Sequence, residues 1–157
     1  MQRKPLALSL VLVAFGCATG TPEAMSQESL AKLIEEIVAT AQISGNVVEF
    51  RSEGVAITSV SDAAHDRMRL ITPIAKLDSL KEAHLEVLLI ANFHTTLDAR
   101  YAISEGVIYA AFLHPLSTLT RVGLESAIQQ VSALSRNFGS SYSSGKLIYG
   151  IESGEEM

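Results

Sequence analysis

The stretch from Asp98 to Leu116, DARYAISEGVIYAAFLHPL, decides the fold. It holds two β-type runs, Ala99–Ile103 and Val107–Leu113, around Ser104-Glu105-Gly106, a span that fits a tight hairpin turn. The two strands are therefore antiparallel. Val107–Leu113 is apolar at odd and even positions alike, so both of its faces seek cover. That pattern predicts a central strand with a helix on one side and another layer beyond. Pro115 ends the strand, because proline has no N–H to give to a ladder.

Upstream, Ser79-Leu-Lys-Glu82 has the form of a capping box, which predicts a helix start there. The helix, roughly Leu80 to Phe93, carries Ala83, Leu85, Val87, Leu88, Leu89, Ile90 and Ala91 around most of its circumference. A helix apolar all round is expected to be the central, most buried one. Before it, Arg67–Thr72 alternates, with Met68, Leu70 and Thr72 on one face and Arg67, Arg69 and Ile71 on the other. Pro73 predicts that this strand stops there or lies at an edge. A first hairpin is expected from Val47–Arg51 and Val55–Val60 around Ser52-Glu53-Gly54. The chain opens its folded part with an amphipathic helix from about Ser26 to Ala41. Leu30, Leu33, Ile34, Ile37, Val38 and Ala41 form its stripe, and Ser44-Gly45-Asn46 its stop.

Downstream, a last helix starts near Thr118 or Thr120 and stacks Leu124, Ala127, Ile128, Val131, Leu134 and Phe138. Arg136 favours its C-terminal dipole and Gly139 suits the position after it. Ser140–Gly145 reads as a solvated polar loop, and Lys146–Tyr149 as a short strand. The order is α-β-β-β-α-β-β-α, an α+β class with helices packed on an antiparallel sheet. In that order, and in the Asp98–Leu116 stretch, residues 26 to 138 resemble the type III secretion chaperone-like superfamily. The resemblance implies small, often dimeric, non-enzymatic proteins that bind other polypeptides. It brings no catalytic motif.

The N-terminus carries an address. Arg3 and Lys4 precede an apolar run from Leu6 to Phe15, followed by Gly16 and Cys17, the only cysteine. The run is shorter than the roughly 18 residues that a membrane-spanning helix needs. Ala14-Phe15-Gly16-Cys17 resembles the lipobox of bacterial lipoproteins. That resemblance implies a signal peptide over 1–16 and a Cys17 bearing diacylglycerol and a further palmitate-type chain. By the same resemblance, Ala18 and not Asp after the cysteine implies the outer membrane. Two or more acyl chains anchor stably. A soluble periplasmic or secreted form is the alternative, since Ala18-Thr19-Gly20 offers another cleavage site. Residues 17–25 read as a tether, 26–150 as one α+β domain and 151–157 as an acidic tail.

Losing Arg3 and Lys4 takes the basic count from 12 to 10 against 17 acids, a formal charge of −7. No basic cluster remains, which argues against nucleic acid. Neither a phosphate-binding glycine loop nor a Gly-x-Ser-x-Gly elbow is present, and no cofactor is expected. His65, in Asp62-Ala-Ala-His65-Asp66, and His114 before Pro115 are the candidate metal-ligating or catalytic residues. They support the alternative of a metal-dependent hydrolase-like enzyme. His84 and His94 stand ten residues apart on the predicted helix and form no ligand pair. The expected function is a membrane-anchored, periplasm-facing module that binds a protein partner or itself, with a purely structural homodimer as a further alternative.

Overall fold

The computed structural model describes residues 24–145. Three helices and six strands follow in the order α1 (Gln27–Ile37), β1 (Ala41–Ser44), β2 (Val47–Ser52), β3 (Val55–Asp62), β4 (Arg67–Lys76), α2 (Glu82–His94), β5 (Arg100–Ser104), β6 (Val107–His114) and α3 (Arg121–Arg136). One antiparallel sheet takes all six strands, in spatial order β1-β2-β3-β4-β6-β5. The α+β class and the predicted order are observed, with one additional strand.

That strand is β1. Ala41 extends the stripe of α1, so the sequence reads as a helix running on to the glycine. In the structure α1 stops at Ile37, Val38 turns extended, and Ala41–Ser44 pairs with Val47–Phe50. Gly45, at φ 60°, makes a hairpin turn and not a helix stop. Ser26 is the N-cap as expected, and its hydroxyl accepts from the Ser29 N–H at 3.1 Å. The other two tight turns use the same four residues, Ser-Glu-Gly-Val, at 52–55 and 104–107. Both central residues have positive φ, Glu53 and Gly54 in one and Glu105 and Gly106 in the other. This is the primed geometry whose twist matches paired strands.

The inner face of the sheet presents Val48, Phe50, Ile57, Met68, Leu70, Ile108, Ala110 and Phe112, all buried. Leu30 and Ile34 of α1 and Leu124, Ala127, Ile128, Val131 and Leu134 of α3 close over it. The helix lying across the middle of the sheet is thus α3, against β2, β3, β4 and β6, and not α2. Thr120 caps it, accepting from the Gly123 N–H at 3.1 Å, and Gly139 beyond its end takes φ 78°.

β4 continues through Pro73 to Lys76 and lies between β3 and β6, so it is an interior strand. Proline is tolerated because the ladder to β3 ends at Ile71, and the register to β6 slips between Pro73 and Ala75. Ser79 does not cap α2. It belongs to a single 3-10 turn, Leu77–Ser79, and its hydroxyl donates to Lys76 O at 2.6 Å. The helix begins at Glu82, where His84 Nδ1 accepts from the Lys81 N–H at 3.2 Å.

Candidate functional site

Helix α2 lies along the outer edge of β5, a short edge strand with backbone groups to satisfy. Asn92 satisfies them at Tyr101: Oδ1 accepts from the Tyr101 N–H at 2.8 Å and Nδ2 donates to Tyr101 O at 3.0 Å. The side-chain amide copies a neighbouring strand. Beneath it Leu88 and Ala91 reach the core, while Tyr101 donates its hydroxyl to Leu134 O at 3.0 Å. Burial, with Tyr142 beside it, pushes the Tyr101 hydroxyl well above the ordinary phenol range.

With one side seated, the other side of α2 is left in solvent. Leu89 is 71% exposed, Ile90 52% and Phe93 74%. These positions, spaced i, i+1 and i+4, share one stripe. Half-exposed Ile103 of β5 adds to it across a shallow groove lined by Leu85, Leu88, Leu89 and Tyr101. The expectation of a central, most buried helix is therefore overturned: an all-round apolar helix sits at the margin of the fold with half of it uncovered.

A second open surface is the sheet's outer face. Ile71, Tyr109, Ala111 and Leu113 sit there with Arg69, since Arg69 pairs with Leu113 and Ile71 with Ala111. The expected further layer over β6 does not exist among the described residues, and Leu113 is 56% exposed.

The base of α2 is braced. Thr95 donates its hydroxyl to Tyr142 O at 2.9 Å, and the Leu97 N–H donates to Ser144 Oγ at 2.6 Å. Asn137 Nδ2 donates to Ser143 O at 2.8 Å, and Tyr142 packs edge-on against Tyr101 and Phe138. Ser140–Gly145 is a loop as expected, with Ser140, Ser141 and Gly145 exposed, but it is pinned to the fold at Tyr142, Ser143 and Ser144. Gln130, buried in α3, holds the entry to β5: its Oε1 accepts from the Asp98 and Ala99 N–H groups at 2.8 and 3.0 Å. Neither Asn92 nor Gln130 figured among the sequence candidates. Neither has a periodic or spacing signal, because each bonds backbone that only the fold brings near.

The histidines do not assemble a site. His65 Nδ1 is 2.6 Å from Asp62 Oδ2, and the imidazole contact holds the Asp62 carboxyl below the ordinary range. Asp66, in the same loop, is committed elsewhere. It accepts from the Ser117 N–H at 2.6 Å and the Ser117 hydroxyl at 2.9 Å, which lowers its pKa, and so ties the β3–β4 turn to the chain leaving β6. His114 stacks on Phe112 and bonds Pro115 O at 2.7 Å through Nδ1, a strand-end role. His84 caps the start of α2, and His94 stands at its end, edge-on to Phe93. Among the described residues no three His, Cys, Asp or Glu side chains gather to hold a metal ion. No helix among them is long and apolar enough to cross a membrane. Cys17 and the Lys146–Tyr149 strand lie outside the described residues.

The antiparallel sheet with α1 and α3 on one face and α2 at one edge is similar in fold to solved type III secretion chaperone structures. No known family profile matches the chain, and no curated protein does. Solved structures match in fold. One is the Yersinia pestis type III secretion chaperone SycH in complex with a stable fragment of YscM2, at TM-score 0.57 and 10% identity over 73% of this chain and 100% of that one. The HopA1–SchA chaperone–effector complex matches at 0.53 and 16%, over 69% of this chain and 88% of that one. The ExsC–ExsE complex matches at 0.52 and 18%, over 70% and 90%. At these identities the likeness is one of fold.

Proposed function

We propose that the domain is a non-enzymatic protein-binding module, held at a bacterial outer membrane by acylated Cys17 and facing the periplasm. The observation that carries the binding role is α2: a helix apolar on all sides, seated on β5 by one side only. Exposing Leu89, Ile90 and Phe93 together costs solvation free energy that a protein partner recovers. The chaperone–effector complex among the matching structures supports this reading, because there the shared fold occurs in a protein-binding assembly. The arrangement offers little to an enzyme, since Asp66 and His114 are spent on structural bonds.

Self-association is the second reading, favoured by the same stripe, because two copies of α2 packed about a twofold axis would cover each other. Size-exclusion and sedimentation of the protein separate the two. A concentration-dependent dimer abolished by Leu89→Lys with Phe93→Glu assigns the stripe to self-pairing. A monomer that captures a distinct protein, and loses it with the same double variant, assigns it to a partner. A double variant that changes neither property contradicts both. Membrane attachment is tested by fractionation: Cys17→Ser is expected in the soluble fraction, and its retention after a salt wash would contradict the anchor.

A further inference from the structure

We propose that the edge of β5 beside α2 takes up an extended, basic segment of the partner as an added strand, paired at Ile103. The proposal rests on the protein-binding reading of α2 and deepens it. In an antiparallel pair, successive residues turn their N–H and C=O alternately toward the neighbouring strand and away from it. Tyr101 turns both away from β6, since Asn92 bonds them. Ile103, two residues on, turns its own groups the same way, and nothing among the described residues bonds them. Asn92 thus fills one rung of a missing strand, and the next rung is open. An edge with an open donor and acceptor is a template for a further strand.

The groove beside that rung has room for side chains. It measures about 260 Å3 and is lined chiefly by Leu85, Leu88, Leu89, Asn92, Tyr101 and Ile103. That is below the roughly 300–1,000 Å3 of a small-molecule site, so one or two apolar side chains suit it better than a cofactor. A residue paired with Ile103 shares its face of the sheet and sets its own side chain at the groove. Charge selects the rest of the segment. At the N-terminal end of α2, where the Leu77 N–H donates to Gly106 O, stand Asp78, Glu82, Glu86 and Glu105 against Lys76 and Lys81. None of the six is in an ion pair among the described residues. Four carboxylates against two ammonium groups suit a basic segment. Two copies of this chain meeting about a twofold axis at Ile103 would bring these acids together, which disfavours self-pairing at this edge.

The test uses the full chain carrying Cys17→Ser and the capped peptide Lys-Val-Leu-Val-Lys, labelled for fluorescence anisotropy. The peptide should bind, and at saturation the Ile103 amide should exchange with deuterium at least about tenfold more slowly while the Tyr101 amide is unchanged. Ile103→Pro removes the outward N–H, which an edge strand tolerates, and should weaken binding about tenfold. Ile103→Ala keeps the backbone pair and should weaken it less. Methylating the leucine nitrogen of the peptide should match the proline variant with the native edge intact, so the outcome does not depend on that variant folding. Exchanging both peptide lysines for glutamate should weaken binding severalfold, and Glu82→Lys with Glu105→Lys should reverse the preference. No binding at millimolar peptide, unaltered exchange at Ile103, or indifference to N-methylation would overturn strand addition. If strand addition fails while Leu89→Lys with Phe93→Glu still costs the protein its partner, the reading of α2 stands without it.

Discussion

Asn92 holds the proposed binding helix in place, and its removal has a calculable effect. Asn92→Ala deletes two hydrogen bonds, 2.8 and 3.0 Å long, to the backbone of Tyr101. Each such bond contributes about 1 kcal/mol net, and leaving a half-buried backbone group without a partner adds part of its desolvation cost, so about 2–3 kcal/mol should be lost. For a domain of this size that is a fall of roughly 8–12 °C in melting temperature. Asn92→Asp sharpens the case. Its carboxylate still accepts from the Tyr101 N–H but faces Tyr101 O with a second acceptor, which disfavours the charged form and raises the carboxyl pKa in the folded state. Its stability should therefore improve relative to the native protein as pH falls, and worsen as pH rises through that raised value. Urea denaturation followed by circular dichroism measures both. A change under about 0.5 kcal/mol for Asn92→Ala would show that the amide does not hold α2, and the strand-mimic role would be refuted.

Two further outcomes follow from polar groups. Ser132 in α3 is fully buried and its hydroxyl has no hydrogen-bond partner. Ser132→Ala should therefore be neutral or stabilise by up to about 1 kcal/mol in the same denaturation assay, whereas a loss above that would reveal a bond to the hydroxyl. The bonds from Ser117 hold Asp66 below its ordinary pKa of 3.8, so its contribution is present above that value and lost as pH falls through the lowered one. The difference in urea midpoint between the native protein and Asp66→Asn should shrink between about pH 5 and pH 2, and a difference constant over that range would contradict the role of the pair.

Most strands were legible because turns announce themselves. The two Ser-Glu-Gly-Val sequences marked both hairpins, and alternation in Arg67–Thr72 put Met68, Leu70 and Thr72 on one face, the one the structure buries. The misreadings came from ambiguous local signals. Ala41 suits either the end of a helical stripe or the start of an edge strand, and only the pairing with Phe50 decides between them. Ser79 stands at capping-box spacing, yet its hydroxyl turns back to Lys76 O. Composition gave α2 a buried aspect, but burial depends on position in the sheet order, and the sheet places α3 over its centre and α2 at its margin. Asn92 and Gln130 were illegible because their partners, Tyr101 and the Asp98–Ala99 backbone, are set by tertiary packing. The candidate site itself emerged from that conflict between an all-round apolar helix and a half-covered position.

The most direct test of the binding claim places a photo-crosslinking amino acid at Phe93, and separately at Gln129, in the full chain expressed in bacteria. Illumination at Phe93 should yield one discrete protein adduct, either a second copy or a single partner, that disappears when Leu89→Lys is added. Illumination at Gln129 should yield none. Equal labelling from both positions, or no adduct from Phe93, would contradict the account of α2 as a protein-binding surface.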